Sequence, residues 1–193
     1  MVILGSASPR RRELLGIIYP LFDISAPNIN EEIRGGESPR SFAERMSREK
    51  MEAVLQPYSG KTESFLAVTA DTVVAIDDET IGKPKDFDDA LRILELLSGN
   101  THEVITGLTI FIRRSGEGDM MITSHEITRV TFKELGDAEI RRYLSITEYM
   151  DKAGAYAAQE NGSLIIKEIT GSVSNVLGFP LRLFFRMIPL DAL

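Results

Sequence analysis

The sequence predicts a mixed α/β fold. Short runs of β-branched and apolar residues alternate along the chain with segments whose apolar side chains recur at helical spacing. A chain of 193 residues can bury a substantial core, and it is short enough for one domain, or for two lobes that share one sheet. Because the chain shows no internal repeat, Ser-rich linker or low-complexity tract, we expect a single domain over residues 1–193 with two lobes around a cleft.

The amino-terminal third predicts a strand followed by two helices. Val2 to Leu4 is a short apolar run typical of a buried strand, and a helix begins behind Ser8, a favoured N-cap residue that a proline follows. The same Ser-Pro-Arg signature recurs at Ser38 and predicts a helix that reaches about Leu55. Pro57 then ends that helix.

The middle of the chain predicts a strand region followed by an amphipathic helix. Two β-rich runs, Phe65 to Thr69 and Thr72 to Ile76, surround Asp71, which therefore lies within or beside a strand. After a turn, Asp86 to Leu97 carries one apolar stripe at helical spacing, with Gly99 as its stop signal.

The last 90 or so residues predict a hairpin and further mixed elements. Two long strands and their polar turn form an antiparallel hairpin, and a helix, a strand and a final segment rich in Leu and Phe follow. These segments are, in order, Val104 to Ile112, Arg113 to Asp119, Ile122 to Phe132, Asp137 to Leu144, Ser163 to Ile169 and Ser174 to Ile188.

Composition excludes several classes of function. The formal charge of -7 argues against non-specific nucleic-acid binding, which needs a cationic surface. The absence of cysteine excludes disulfides, thiolate nucleophiles and sulfur-rich metal sites. No stretch approaches the roughly 20 apolar residues of a membrane span, and the amino terminus lacks a basic segment before a long apolar run. We therefore expect a cytoplasmic protein.

The segment Gly5-Ser6-Ala7-Ser8-Pro9-Arg10-Arg11 is the first candidate site. It places hydroxyls, unpaired backbone amides and two guanidinium groups where a strand meets a helix, an arrangement that suits a polyphosphate. The alternative is an ordinary capped helix with a solvated basic face, which an isolated Ser-Pro-Arg-Arg fits better. No Gly-x-x-x-x-Gly-Lys-Ser/Thr motif is present, so a Walker-type phosphate loop is disfavoured.

Asp71 interrupts an apolar, β-branched stretch and is the second candidate. A buried carboxylate needs a partner, and a divalent metal or a nearby lysine would stabilise its ionised form. Asp71 is therefore our first choice as the base that activates water. It fits equally well, on this segment alone, as a carboxylate that caps a turn or pairs with an arginine.

Other charged residues give weaker signals. Glu31 and Glu32 are adjacent carboxylates that could bind Mg²⁺ or lie on a solvated surface. Lys50 and Lys83 could neutralise phosphate charge, although single lysines are usually surface residues. The two histidines are far apart in sequence and do not suggest a zinc site; the first of them, at position 102, is expected to be a structural hydrogen-bonding residue.

Together these segments resemble the Maf family of nucleotide pyrophosphatases, and the resemblance covers nearly the whole chain. Any single block could arise by chance, whereas an ordered series at comparable spacing is a strong signal. The blocks are Ser6-Ala7-Ser8-Pro9-Arg10-Arg11-Arg12-Glu13-Leu14-Leu15, Ala70-Asp71-Thr72-Val73-Val74, Gly82-Lys83-Pro84-Lys85, Leu97-Ser98-Gly99-Asn100-Thr101-His102-Glu103-Val104, Asp151-Lys152-Ala153-Gly154-Ala155-Tyr156 and Ser174-Asn175-Val176-Leu177-Gly178-Phe179-Pro180-Leu181.

The resemblance implies an elongated fold with a mixed, twisted sheet, flanking helices and a central cleft, similar to inosine triphosphate pyrophosphatases. It implies hydrolysis of a nucleoside triphosphate between the α- and β-phosphates, with Mg²⁺ or Mn²⁺ as the divalent cation and a homodimer as the common assembly. Asp71 matches the family's proton acceptor, and Glu32, like Asp71, is expected near the metal.

The resemblance also implies roles for further residues. The positions along the phosphate path are matched by Ser6, Ser8, Arg11, Lys50 and Lys83. The positions associated with the subgroup that prefers dTTP and UTP, which also acts on some modified pyrimidine triphosphates, are matched by Arg10, Thr72 and Gln159.

One departure bears on base selectivity. Where the family often has a Gly-Ile-Gln-Gly-like run, this chain has Ala157-Ala158-Gln159-Glu160-Asn161-Gly162, so Glu160 adds charge and bulk beside Gln159. Two alternatives stay open at this point: the related branch that acts on 7-methyl-GTP, and a non-catalytic nucleotide sensor or cell-division regulator.

Overall fold

The computed structural model describes residues 1–116 and 118–190 and contains one seven-stranded mixed sheet. The strands run in the order β2-β1-β3-β5-β6-β7, and β4 pairs with β3. β1 is parallel to β2 and β3, whereas the remaining pairs are antiparallel. The strands are β1 Val2–Leu4, β2 Asp23–Ile24, β3 Phe65–Ile76, β4 Glu79–Ile81, β5 Thr101–Arg113, β6 Met120–Phe132 and β7 Ile166–Thr170.

Helices cover both faces of this sheet, so the predicted α/β class with flanking helices is confirmed. Short 3₁₀ turns lie at Gln56–Tyr58 and Ala153–Ala155. The helices are α1 Pro9–Gly16, α2 Pro39–Leu55, α3 Phe87–Leu97, α4 Asp137–Ile146, α5 Gly162–Ile165, α6 Val173–Val176 and α7 Leu181–Met187. In the described ranges no helix is both long and apolar enough to span a membrane.

The two β-rich runs around Asp71 are one continuous strand, β3, which is buried over most of its length. β5 pairs with β3 from Phe65↔Arg113 to Ala75↔Glu103, and β6 pairs with β5 as the predicted antiparallel hairpin. Of the predicted turn between β5 and β6, Glu117 lies outside the described residues.

Helix α2 packs on one face of the sheet because β5 carries a glycine beneath it. A Cβ at Gly107 would lie 2.2 Å from the carbonyl oxygen of Ala43, so only a residue without a side chain allows α2 to come this close. Gly107 is paired with Asp71 in the register of the sheet. The close approach therefore brings the polar residues of α2 over Asp71.

The opposite face of the sheet carries two separate apolar clusters. α1 and α7 pack over one end, with Leu15, Leu108 and Phe184 fully buried, and α3 and α4 pack over the other end. The hydroxyls of the half-buried Thr72 and the fully buried Thr106 lie on the same face, 3.0 Å apart.

One prediction near the carboxyl terminus needs correction. Ser163 to Ile169 was expected to be a strand, but Gly162–Ile165 forms a helical turn and the strand begins at Ile166. The backbone of Gly162 lies close to the carbonyl of Ala157, and the turn fits this tight packing. The segment from 174 to 188 is split into two helices by the residues around Gly178, which has a φ of +92°.

Candidate active site

A cavity of about 790 Å³ opens at the edge of β3, in the stretch between its two edge partners. β1 pairs with β3 up to Leu4↔Val68, and β4 begins to pair at Val74↔Ile81. Residues 69–73 form the sheet edge between these two ladders, and Asp71 and Thr72 line the cavity there. Since neighbouring strand residues point to opposite faces, one cavity reaches both faces of the sheet.

The beginning of α1 faces this cavity and differs from the beginning of α2. At α2 the Ser38 side chain accepts a hydrogen bond from the backbone amide of Ser41, as an ordinary N-cap does. The Ser8 side chain makes no such cap bond at α1; the Ser8 amide instead donates to Ser6 Oγ at 3.2 Å. The amides at the start of α1 are thus left available to an anion, which favours the polyphosphate interpretation over a simple capped helix.

Arg11 is held in a fixed orientation at the start of α1. Its Nε donates to the carbonyl of Gly178 at 2.8 Å, Nη1 to Ser6 Oγ at 3.3 Å and Nη2 to Thr72 Oγ1 at 3.1 Å. A guanidinium has five N–H groups, so N–H groups remain for a phosphate oxygen. The predicted Ser6 acts here by holding Arg11 and the Ser8 amide rather than by lining the cavity.

On the other face of β3, Lys50 joins two carboxylates. Its Nζ lies 2.6 Å from Asp71 Oδ1 and 2.6 Å from Glu31 Oε1. Asp71 is 7% exposed and Lys50 is 8% exposed, so the ion pair is shielded from solvent. The partner that a buried Asp71 requires is therefore a lysine from α2, and the alternative of a turn cap or an arginine partner is not what the structure shows.

Charge stabilises the ionised form of Glu31. Burial favours the neutral carboxyl, but the hydrogen bond from Lys50 and the charges of Lys50, Lys83 and Arg11 outweigh that effect, and the pKa of Glu31 is lowered. Burial is the largest influence on Arg11 and lowers the pKa of its guanidinium, with Asp71 acting in the opposite direction. The guanidinium nevertheless stays charged at any physiological pH.

The two predicted cavity lysines differ in exposure, and the two glutamates differ in position. Lys83 follows β4, lines the cavity with its side chain 58% exposed, and lies 3.9 Å from Glu31. Glu31 lines the cavity, whereas Glu32 contacts Arg45 through its backbone carbonyl and is not among the lining residues. A role of Glu32 at the metal stays a prediction, and Glu31 is the glutamate that stands beside Asp71.

The three residues expected to govern base choice all line the same cavity. Arg10 and Gln159 line it, and so does Thr72, whose hydroxyl is already bonded to Arg11. Glu148, Asp151 and Glu160 also line this cavity. Asp151 accepts a hydrogen bond from the buried Lys152, which lowers the pKa of Asp151.

The donor set suits a divalent ion that binds together with substrate. In the described part of the chain no group of three or more His, Cys, Asp or Glu side chains is arranged to hold a metal. Mg²⁺ usually binds through one or two carboxylates, with waters and substrate phosphates as further ligands. Asp71 and Glu31, brought together by one ammonium group, meet that requirement.

His102 is a structural residue, as the sequence predicts. It is buried, its Nε2 lies 2.9 Å from the Tyr156 hydroxyl, and its ring packs edge-on against Phe132. Burial lowers the pKa of His102 to about 4. His125 is bonded to Glu44 on the other face of the sheet, so the two histidines share no site.

Sequence reasoning missed the polar residues that hold the cavity side chains in place. Thr106 and Asn175 are fully buried and connect Thr72 to the loop that carries Gly178. The only signal in the sequence was that Asn175 belongs to the block from Ser174 to Leu181. Its partner on β5 becomes visible only through the strand register.

A family model described as Maf-like protein matches residues 1–189. A dTTP/UTP pyrophosphatase of Geobacter sulfurreducens is 44% identical over 180 residues, which are 93% of this chain and 91% of that protein. A dTTP/UTP pyrophosphatase of Syntrophomonas wolfei is 41% identical over 185 residues, 96% of this chain and 94% of that protein.

Among solved structures, similarity is weak. The Staphylococcus aureus Ham1 protein matches with a TM-score of 0.40 and 12% identity, covering 83% of this chain and 88% of that one. A nucleoside-triphosphatase / dITP/XTP pyrophosphatase from Mycobacterium abscessus matches with a TM-score of 0.38 and 11% identity, covering 69% and 74%. At these values neither likeness supports a conclusion about this chain.

Proposed function

The chain belongs to the Maf family, and from this premise we propose that it hydrolyses dTTP, UTP and some modified pyrimidine triphosphates to the monophosphate and pyrophosphate. Relatives named dTTP/UTP pyrophosphatase match nearly its full length. The observation that carries the reaction type is the single cavity in which Arg11, Lys50 and Lys83 meet the buried Asp71. The cavity thereby combines cationic side chains, which can bind a triphosphate, with a carboxylate, which can activate water.

Asp71 is proposed as the general base. The oxygen of a water bonds to the α-phosphorus, its proton goes to Asp71, and the bond from that phosphorus to the bridging oxygen breaks. The bond's electron pair leaves with pyrophosphate. In the described contacts Lys50 engages Oδ1, which leaves Oδ2 for the water. A positioned base of this kind contributes about 10² to 10⁴ in rate.

The cationic residues are proposed to stabilise the charge that develops on the phosphate oxygens. Arg11 and the open amides of α1 approach the triphosphate from one face of the sheet. Lys83, which is largely exposed, reaches it from the other side of the cavity. Preorganised donors of this kind are effective because they need no reorientation during the reaction.

A divalent cation, Mg²⁺ or Mn²⁺, is proposed as the metal that the reaction uses. Asp71 with Glu31 would hold it, and Glu32 next to Glu31 is the further candidate. When bound, it would supply Lewis-acid stabilisation of phosphate charge and would lower the pKa of a bound water. Lys50 holds both carboxylates in the same place through its two ion pairs.

The preference for pyrimidines is proposed to depend on Arg10, Thr72 and Gln159. One observation favours the 7-methyl-GTP alternative: Glu148 and Glu160 line the same cavity as Gln159. Acidic side chains would suit a base that carries a positive charge or additional N–H donors. The relatives named dTTP/UTP pyrophosphatase favour the pyrimidine substrates.

A substrate panel tests the proposal. We would incubate the protein with dTTP, UTP, CTP, ATP, GTP and 7-methyl-GTP, with Mg²⁺ or Mn²⁺, and identify products by ³¹P NMR. We expect monophosphate and pyrophosphate, fastest from dTTP and UTP. Release of orthophosphate would contradict the proposed bond cleavage, fastest turnover of 7-methyl-GTP would select the other branch, and binding without turnover would support a nucleotide sensor.

The assembly and the location of the protein are part of the same proposal. We propose a homodimer, as the resemblance implies, and a cytoplasmic location, where nucleoside triphosphates are present as substrates. The acidic net charge of -7 supports the expectation that nucleic acid is not a partner. Sedimentation velocity would report the dimer. We also propose a single domain with two lobes, which should unfold in one cooperative transition.

A further inference from the structure

A closed ring of hydrogen bonds fixes the Arg11 guanidinium. Arg11 Nη2 donates to Thr72 Oγ1 at 3.1 Å, and the Thr72 hydroxyl lies 3.0 Å from that of Thr106. Thr106 donates to the carbonyl of Asn175 at 3.0 Å, and the amide of Gly178 donates to the same carbonyl at 2.9 Å. The ring closes where Arg11 Nε donates to the carbonyl of Gly178 at 2.8 Å. Two sides of the guanidinium are therefore held by one network.

The chemistry of the groups sets the direction of each hydrogen bond. A carbonyl oxygen can only accept, so Thr106 spends its one hydroxyl proton on Asn175. In the contact between the two hydroxyls Thr72 must then be the donor, while its lone pair accepts from Arg11. The single proton of Thr72 is thereby committed to Thr106. Thr72 has none left to donate to a nucleobase.

The ring is anchored on the side away from the cavity. Thr106 and Asn175 are both 0% exposed, and Thr106 is not among the cavity-lining residues. The Asn175 side chain donates to the carbonyl of Val104 at 2.9 Å and to Thr128 Oγ1 at 3.0 Å, which ties the loop to β5 and β6. Among the described residues Asn175 Oδ1 has no hydrogen-bond partner, but it is not part of the ring. The groups that form the ring are all paired, and paired buried networks hold their members rigidly.

We propose that Thr106 is a positioning residue: its hydroxyl orients the proton of Thr72 and thereby aims the Arg11 guanidinium at the triphosphate. Thr72 then influences turnover through Arg11, and it can meet a nucleobase only as a hydrogen-bond acceptor. The inference rests on the proposed function, because phosphate binding by Arg11 is part of it.

Thr109 supplies a matched control on the same strand. It is also 0% exposed, and its hydroxyl contacts Ser47 at 2.9 Å and Thr123 at 3.0 Å on the opposite face of the sheet. In both positions the hydroxyl is fully buried and contacts two partners. Thr106→Val and Thr109→Val each put a methyl group of similar size in its place. Only the change at Thr106 interrupts the ring around Arg11.

The experiment compares Thr106→Val, Thr106→Ser and Thr109→Val with the wild type. We would measure kcat and KM for pyrophosphate release from UTP, the urea midpoint of unfolding, and binding of inorganic tripolyphosphate by calorimetry. Without the Thr106 hydroxyl, the Arg11 guanidinium is no longer held in the orientation that binds the triphosphate. We therefore expect Thr106→Val to lose about 10-fold to 100-fold in kcat/KM. Its tripolyphosphate affinity should fall as well, Thr106→Ser should restore both, and Thr109→Val should stay within about 3-fold of the wild type.

Two results would overturn the inference: Thr106→Val no more impaired than Thr109→Val at equal stability, or impaired turnover with unchanged tripolyphosphate affinity. A wild type that binds tripolyphosphate but releases no pyrophosphate from any nucleotide refutes the proposed function. The binding comparison of the variants then still decides the role of Thr106. If Thr106→Val unfolds, the comparison of Thr106→Ser with Thr106→Ala replaces it, with the same expected order.

Discussion

Asp71→Asn separates the catalytic role of Asp71 from its structural role. The amide has nearly the same shape as the carboxylate, and its oxygen can still accept the hydrogen bond from Lys50 Nζ, now 2.6 Å from Oδ1. Lys50 also keeps its contact with Glu31, likewise 2.6 Å away. Breaking a buried ion pair usually costs about 3 to 5 kcal/mol because a lone charge is left behind. Here a carboxylate remains, so we expect the free energy of unfolding to fall by about 1 to 3 kcal/mol.

The loss of activity should be much larger than this loss of stability implies. An amide cannot accept the proton of the attacking water, so kcat for dTTP or UTP should drop about 10²-fold to 10⁴-fold, or about 2.7 to 5.4 kcal/mol in activation free energy. The assay is pyrophosphate release at saturating nucleotide, together with nucleotide affinity measured by calorimetry. Affinity should change far less than kcat, because Arg11 and Lys83 remain in place.

Asp151→Asn provides the control for a carboxylate in the same cavity. The Asp151 side chain is 72% exposed and its partner is Lys152, so its removal should leave kcat within about 5-fold of the wild type. An Asp71→Asn variant that is folded and keeps kcat within about 10-fold would refute the assignment of Asp71 as the base. Equal losses in the two variants would show that the effect is one of cavity charge in general.

Three further predictions follow from buried groups. His102→Gln should remove a pH dependence of stability. Because burial lowers the pKa of His102 to about 4, only the unfolded chain takes up this proton as the pH falls from about 6.5 to 5. In urea unfolding, the free energy of unfolding of the wild type should therefore fall by about 2 kcal/mol more than that of the variant between about pH 7.5 and pH 5. Gly107→Ala should cost about 3 kcal/mol or more in urea unfolding, since a Cβ there meets the Ala43 carbonyl at 2.2 Å. Lys50→Met should leave the carboxylates of Asp71 and Glu31 close together without a cation between them. In scanning calorimetry, Mg²⁺ should therefore raise the melting temperature of this variant more than that of the wild type.

Each of these predictions has a result that contradicts it. Parallel pH curves for His102→Gln and the wild type would show that the histidine does not titrate as its burial requires. A cost below about 1 kcal/mol for Gly107→Ala would show that α2 can move away from the sheet at little expense. If Mg²⁺ shifts the melting of Lys50→Met no more than that of the wild type, the two carboxylates do not form the cation site.

Local signals were sufficient for most elements and for the central carboxylate. The runs on either side of Asp71 predicted a strand because β-branched residues dominate them, and a charge inside such a strand needs a partner wherever the chain folds. The helical turn from Gly162 to Ile165 was missed because Ile165 is β-branched and continues the apolar run into the strand that begins at Ile166. The Gly162 backbone packs closely against the carbonyl of Ala157 at the start of this helical turn, and this contact cannot be read from the local sequence.

The partners of Asp71 and Arg11 depend on contacts that no local pattern contains. Lys50 is 21 positions from Asp71 and reaches it only because α2 crosses the sheet at Gly107. The choice between Glu31 and Glu32 depends on the path of an irregular loop, where no periodicity distinguishes one residue from the next. A sequence can therefore indicate which residue types the site uses, whereas the register and the helix position decide which of them meet.

Strand alternation explains why the proposed site divides its tasks between adjacent residues. Asp71 points toward α2 and meets Lys50, and Thr72 points to the other face and meets Arg11. A ligand can reach both side chains only at the free edge of the strand, between the last pair of β1 and the first pair of β4. An extension of either edge strand across residues 69–73 would close that access while leaving every side chain of the site in place. The short length of β1 is thus a requirement of the proposed function, because the general base and the triphosphate grip lie on opposite faces of one sheet.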